Sequence, residues 1–336
     1  MTAKPRSENS TVSRVGFVVI GRNEGNRLIR CLDSLKAHQG CEIVYVDSGS
    51  TDQSVAEAEN RQAQVVRLDL KRPFTAGRAR NEGLAALCAL IPDLEYAHFV
   101  DGDCELATGW LDSARCFLEE RTDVAIVCGR RQERDPQASL YNQLCDIEWN
   151  TPVGEAEACG GDALVRVASF MEVGGFNSCL IAGEEPELCL RLRGNGWKIW
   201  RLDVTMTLHD AAMFKFAQWW MRGVRSGFGY AQVWSATRRR EVALYRLELM
   251  RALVWAGIVP TMLLCTATIN VPTGLALTGI YGLQVARIAF HRGIARAQSW
   301  HYGLFAVLAK FPELQGALMY GWRTAIGGAR SAILYK

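Results

Sequence analysis

Val15-Gly16-Phe17-Val18-Val19-Ile20, then Gly21-Arg22-Asn23-Glu24-Gly25-Asn26, then Leu28, Ile29, Leu32 and Leu35 form the stretch that decides the fold. A short apolar run gives way to a polar loop and then to apolar residues at helical spacing, which reads as strand, loop, helix. The same unit recurs. Residues 42–46 predict a strand closing on Asp47-Ser48-Gly49-Ser50-Thr51-Asp52, with a helix over 55–60 after it. Residues 65–68 predict a third strand, 76–90 a helix, and 96–100 a fourth strand ending at Asp101-Gly102-Asp103. Strands alternating with helices argue a doubly wound, mostly parallel sheet, whose ligands lie beyond the carboxyl ends of the strands. All three polar loops follow strand ends.

Further along, the pattern predicts a strand over 124–128 and a helix over 163–173 leading to Gly174-Gly175-Phe176. Gly183-Glu184-Glu185-Pro186-Glu187 then opens a helix, because proline in the first turn and acids at the amino end suit a helix start. A strand over 198–202 and an aromatic amphipathic helix over 211–231 follow. That helix carries Trp219, Trp220, Arg222 and Arg225, which suit either a sugar-lined rim or plain packing.

Charge divides the chain. Before Arg238 there are 26 Lys and Arg against 32 Asp and Glu, and from Arg238 onward 12 against 3. From Ala252 through Ala286 no charged residue occurs, and arginines flank the span on both sides. The pattern fits a membrane hairpin over about 250–290 with both ends cytoplasmic, or a re-entrant or interfacial pair, or a buried helical hairpin. A basic, apolar tail suits an anionic lipid surface, and no nucleic-acid partner is expected. Lys310-Phe311-Pro312 reads as the start of a surface helix. The polar segment 1–14 shows no signal-peptide pattern. Eleven scattered cysteines without a C-x-x-C pair suit a reducing cytoplasm rather than a disulfide framework or zinc cluster.

The candidate chemistry sits in the loops. Asp101 and Asp103, with a glycine between, can meet a hard divalent cation, for which oxygen ligands favour Mg2+ or Mn2+, although the tripeptide equally suits a turn. Asp47 and Asp52 can accept from ribose or base, and the alternative is an Asx-turn and a helix cap. Asn23 and Glu24 follow the first strand in the same way. Arg78, Arg80 and Asn81 place donors at a helix start, within reach of a base or phosphate. No G-x-G-x-x-G follows the first strand and no G-x-x-x-x-G-K-[ST] occurs, which excludes dinucleotide oxidoreductases and P-loop enzymes. A sugar nucleotidyltransferase would carry a glycine-rich basic loop after the first strand, where this chain has amide and acid.

Taken together, Val18-Val19-Ile20-Gly21-Arg22-Asn23-Glu24, Val44-Tyr45-Val46-Asp47-Ser48-Gly49-Ser50-Thr51-Asp52, Ala79-Arg80-Asn81-Glu82-Gly83, Phe99-Val100-Asp101-Gly102-Asp103 and Gly174-Gly175-Phe176 with Gly183-Glu184-Glu185-Pro186-Glu187-Leu188 resemble the family-2 glycosyltransferases. These are inverting enzymes of the GT-A fold, a Rossmann-like α/β architecture, and the likeness covers about residues 15–209. It implies a GT-A domain over 15–237; beyond it, the charge and apolar run read 238–336 as a basic, apolar helical region associated with a membrane. It implies that Asn23, Glu24, Asp47 and Asp52 hold the nucleoside, and that Asp101, Gly102 and Asp103 serve the nucleotide and the metal. It also implies that His209 completes the metal shell and that Gly161 shapes the donor-sugar pocket. The acidic pair Glu184-Glu185 then contains the base. Where the family most often has Glu-Asp this chain has Glu-Glu, so the base falls to Glu185 with one extra methylene. The implied partners are a nucleoside-diphosphate sugar donor and a saccharide or lipid-linked acceptor in envelope polysaccharide or glycolipid assembly, at the cytoplasmic side of the inner membrane. A polyprenyl-phosphate acceptor and a non-catalytic nucleotide-sugar-binding scaffold are the alternatives.

Overall fold

The computed structural model describes residues 15–327, so the polar segment 1–14 lies outside the described residues. The described chain falls into two compact units. The first comprises residues 15–136, Cys145–Cys179 and Glu184–Ala212. The second comprises Gln137–Leu144, Leu180–Gly183 and the chain from Met213 onward, so the boundary expected near Thr237 falls inside it.

The first unit is built on one nine-stranded sheet. β1 (Val15–Gly21), β2 (Glu42–Asp47), β3 (Gln64–Arg67) and β4 (Tyr96–Asp101) are mutually parallel in the order β3-β2-β1-β4. The crossovers are α1 (Asn26–Lys36), α2 (Ser54–Asn60) and α3 (Ala76–Leu90). Val15 through Ile20 are all buried, as a continuous apolar run in a central strand requires. In α1 the buried residues are Leu28, Cys31, Leu32 and Leu35, a single helical stripe facing the sheet. α3 lies close against the sheet because Gly83 has no side chain: a Cβ there would stand 2.4 Å from Val18 Cγ1 and 2.7 Å from Val46 Cγ2.

Past β4 the sheet becomes mixed. β5 (Cys104–Leu106), α4 (Trp110–Glu120), β6 (Val124–Glu133), α5 (Leu140–Trp149) and β7 (Gly154–Ala156) come next. β8 (Ala163–Arg166), α6 (Val167–Glu172), α7 (Glu184–Gly194) and β9 (Lys198–His209) follow. The expected helix over 163–173 is thus a strand followed by a helix: Ala163–Arg166 pairs antiparallel with β4 and with β6. β9 runs parallel to β6 and carries β7 and β5 antiparallel on its other side, which extends it from the expected 198–202 to His209. The parallel half is the expected one, and the antiparallel joins carry β9's end to the Asp101-Gly102-Asp103 turn.

The second unit is helical. α8 (Phe216–Thr237) is followed by α9 (Arg246–Ala252), a π-helical stretch (Leu253–Ile258) and α10 (Val259–Ile269). These last three form one helix, Arg246–Ile269, of 24 residues, the one helix among the described residues long and apolar enough to cross a membrane. Asn270 ends it and caps α11 (Val271–Leu277) by accepting the Thr273 N–H at 3.0 Å. α12 (Gly279–Arg292), α13 (Ala297–Leu308) and α14 (Lys310–Ala325) complete the unit. α14 is not a free surface helix. Gly227 and Gly316 bring α8 and α14 backbone to backbone, since a Cβ at either would stand 1.9 Å from a carbonyl oxygen of the other helix. Trp219 is buried edge-on against Phe305 at 4.9 Å, and Trp220 Nε1 donates to Gln315 at 2.8 Å, so packing takes both indoles.

Candidate active site

The loops after β1 and β2 are tied to each other. Asn23, at a positive φ of 54°, accepts the Thr51 N–H at 2.7 Å through Oδ1, while its own N–H donates to Ser50 Oγ at 2.9 Å. Asp47 is buried and accepts the N–H groups of Gly49 and Ser50 at 3.0–3.2 Å. Asp52 accepts the Gly25 N–H at 3.2 Å and the Ser54 N–H at 3.0 Å. Burial pushes against its charge, but these hydrogen bonds outweigh it and hold the carboxyl below its ordinary value. Glu24 pairs with Arg27 at 2.5 Å and lies beside Gly102, where a Cβ would come 3.3 Å from Glu24 Cγ and 3.1 Å from the Ile20 carbonyl.

A buried charge network joins the Asp101-Gly102-Asp103 turn to the start of α7. Arg80, 2% exposed, donates through Nη2 to Asp101 Oδ1 at 2.8 Å and through Nη1 to Glu184 Oε1 at 2.9 Å and Glu185 Oε1 at 3.3 Å. Arg131 donates to the other Asp101 oxygen at 2.9 Å and pairs with the fully buried Asp162 at 2.7 Å. Asp162 in turn accepts the Asp101 N–H and the Thr207 hydroxyl, each at 2.9 Å. Burial opposes the charge on Asp101, yet the two guanidinium groups win and hold its carboxyl well below the usual range. Glu184 goes the other way: burial and the neighbouring Glu185 charge push it up to about 8 against the pull of Arg80. Glu185 is the more open of the two glutamates.

Not every expected residue faces this network. Arg78 turns the opposite way, bonding Glu82 at 2.7 Å and the carbonyls of Asp69, Arg72 and Pro73 at 3.1–3.4 Å. It braces the 69–73 loop and leaves no guanidinium fork for a phosphate. Asn81 is spent on the 176–178 loop, donating to the Phe176 carbonyl at 2.8 Å and Ser178 Oγ at 3.1 Å and accepting the Phe176 N–H at 3.0 Å. Gly161 does reach the network: a Cβ on it would stand 2.2 Å from Arg80 Nη2.

Asp103 and His209 make the second half of the site. β5 pairs with β9 so that Asp103 Oδ1 lies 3.4 Å from His209 Nε2, near enough for the two to share one cation. Behind the ring, Glu133 Oε2 accepts the Ala211 N–H at 3.1 Å and stands 3.7 Å from Nδ1, beyond hydrogen-bond length but on the side from which a carboxylate orients a ligating imidazole. Cys104 is close by, but burial pushes its thiol far up, so it is no ligand for a hard cation. The donor set that fits a divalent cation is therefore Asp103 and His209. Asp101, expected beside them, has both carboxylate oxygens on arginines.

A family model for Glycosyl transferase family 2 matches residues 17–158, the segment that contains β1 through β7 and the Asp101-Gly102-Asp103 turn. That segment is similar to glycosyl transferase family 2. The chain is 28% identical over 223 residues to a pre-mycofactocin glycosyltransferase of Mycobacterium tuberculosis, covering 62% of its own length and 45% of that protein. The chain thus spans about half the length of the curated relatives it matches. Among solved structures it is similar to a mannosyltransferase from Pyrobaculum calidifontis in complex with GDP-Man and Mn2+, with a TM-score of 0.57 and 16% identity. That likeness covers 91% of this chain and 87% of the other, and it shows the GT-A fold.

The sequence pattern left out several members of the network. Arg131, Thr207 and Glu133 come from β6 and β9, where neither spacing nor a motif marks them, and Asp162 was legible only within Cys159-Gly160-Gly161-Asp162, as part of the stretch the resemblance gives to the donor-sugar pocket. Arg80 was legible only as one of three donors on α3.

Proposed function

We propose that this chain is an inverting glycosyltransferase that moves a sugar from a nucleoside-diphosphate donor to a hydroxyl acceptor, with Glu185 as general base. The observation that carries the reading is the single guanidinium of Arg80, which spans from Asp101 to Glu185. It sets the turn that would face a donor diphosphate beside a partly buried carboxylate, 18% exposed, that can take the acceptor's proton. Inversion needs one in-line displacement, so no protein nucleophile enters.

Asp103 and His209 would hold Mn2+ or Mg2+, with Glu133 orienting the imidazole. Bound there, the cation supplies charge neutralisation at the departing diphosphate. The protein residues do the rest. Asn23, Asp47 and Asp52 cluster where the loops after β1 and β2 meet, and in this reading they accept from base and ribose. Asp101, held by Arg80 and Arg131, fixes the turn against which the nucleotide would sit. Glu184 is the buried member of the acidic pair, pushed up to about 8 by burial and by its neighbour, and Glu185 is the more open one. Glu185 accepts the acceptor's hydroxyl proton as its oxygen attacks the anomeric carbon, a role typically worth ~10²- to 10⁴-fold in rate.

The apolar helix Arg246–Ile269 and the basic residues around it support attachment to an anionic membrane surface from the cytoplasmic side. They favour a lipid-linked acceptor, in envelope polysaccharide or glycolipid assembly. A polyprenyl phosphate is the second reading for the same reason, and its ionised oxygen needs no base. The test is a panel of UDP- and GDP-sugars with MnCl2 or MgCl2, scored by nucleoside-diphosphate release. Metal-dependent release from one donor, lost in Asp103→Ala, supports the reading. No release from any donor, with nucleotide still bound, points to a binding scaffold instead.

A further inference from the structure

We propose that Arg80 is the positioning residue of Glu185: it fixes where that carboxylate stands relative to the Asp101-Gly102-Asp103 turn. The proposal rests on Glu185 acting as base and deepens that assignment.

Three elements meet on this one side chain. Nη2 holds Asp101 Oδ1 at the end of β4, while Nη1 holds Glu184 Oε1 and Glu185 Oε1 at the start of α7. A guanidinium is a rigid plane, so donors on its two terminal nitrogens fix the distance between the groups they bind. Lysine has one nitrogen and cannot set that separation. Behind Arg80, α3 is shaped to hold the acidic pair. Gly77, Arg80 and Asn81 share one face of the helix at i, i+3 and i+4. A Cβ on Gly77 would come 3.1 Å from Phe176 Cβ and 3.6 Å from Glu184 Cβ, so its absence lets α7 and the 176–178 loop close on α3. The Phe176 ring lies 5.5 Å from the guanidinium carbon, backing it from the loop side.

The anchoring is unequal. Asp101 keeps Arg131 and the Asp162 carboxylate whatever stands at position 80. Glu185 is bonded to neither of those groups. A change at Arg80 therefore moves Glu185 more than it moves Asp101, and its effect should travel through the base. Arg80→Ala would remove the guanidinium from three carboxyl groups at once and is a poor probe, because breaking a buried ion pair strongly destabilises a protein. Arg80→Lys keeps the charge and removes the fork.

The experiment is a double-mutant cycle of Arg80→Lys and Glu185→Gln, read as kcat for nucleoside-diphosphate release from the fastest UDP- or GDP-sugar of the panel with MnCl2. Melting temperature is checked for each protein. Arg80→Lys alone is expected to lower kcat by about tenfold or more while KM for the sugar nucleotide stays within about threefold. In the Glu185→Gln background the same change should cost nothing further, because the group it positions no longer acts. An equal loss in both backgrounds overturns the positioning role and leaves the base assignment standing. A silent Glu185→Gln overturns the base assignment and the positioning role with it. The crystal structure of Arg80→Lys gives a reading without turnover: the Glu185 carboxylate should shift by about 1 Å or more with α7 in place, a displacement large enough to matter for catalysis. A carboxylate that stays where it is overturns the proposal.

Discussion

Gly161 lies so near Arg80 that a Cβ on it would stand 2.2 Å from Nη2, and 3.0 and 3.1 Å from the two Asp101 oxygens. The space a side chain would take is the space in which the arginine–aspartate pair forms. Gly161→Ala should therefore push the pair apart while leaving the sheet intact. Overpacking of this kind costs about 1–3 kcal/mol, read as a fall in urea midpoint, and nucleoside-diphosphate affinity should drop with it. Unchanged stability and affinity would show that the pair has room to yield.

Glu184 sits at about 8, above its ordinary 4.5. A carboxyl raised on folding contributes stability that is complete below pH 4.5 and lost as pH rises through about 8. Glu184→Gln mimics the neutral form. The variant should match the parent protein in urea unfolding near pH 4.5, draw ahead of it toward pH 8, and keep its turnover. Parallel stability profiles across that window would contradict a neutral Glu184.

His98 is buried in the core, where Nδ1 pairs with the Phe99 carbonyl at 2.9 Å and Nε2 accepts the Trp110 indole N–H at 2.7 Å. Burial lowers it from 6.5 to about 4. The sign is opposite to that of Glu184: the contribution is whole above pH 6.5 and disappears as pH falls through about 4. The stability gap between the parent protein and His98→Asn should be widest at neutral pH and close in acid. A gap of constant width would mean that His98 does not resist protonation.

Mn2+ affinity, measured by titration calorimetry on the full chain, should respond to both shells around His209. His209→Ala removes a ligand, and Glu133→Gln weakens the orientation of the ring, a change typically worth ~10- to 100-fold in affinity. Glu133→Gln binding Mn2+ as tightly as the parent protein would detach Glu133 from the metal.

The sequence made some of this legible and hid the rest for physical reasons. β1 and α1 read directly because a buried central strand is apolar throughout and an amphipathic helix carries one stripe. Ala163-Leu164-Val165 did not, since a short apolar run suits strand or helix and its pairing with β4 and β6 decides between them. The Asp101-Gly102-Asp103 turn and the acidic pair at α7 stood out as local patterns. Their connection did not, because Arg80 lies 104 residues from Glu184 in sequence and the contact exists only once the sheet is formed. Arg78 and Arg80 look equivalent in the sequence, but two residues on a helix is more than half a turn, so they point apart. The 69–73 loop captures one, and the site takes the other.

The account stands most directly on the turnover of Glu185→Gln, assayed as nucleoside-diphosphate release with Mn2+ at saturating sugar nucleotide, for protein whose melting temperature matches that of the parent. A loss of ~10²- to 10⁴-fold in kcat is the predicted result, because the acceptor's proton then has no carboxylate to go to. Release at the parent rate would contradict Glu185 as the base.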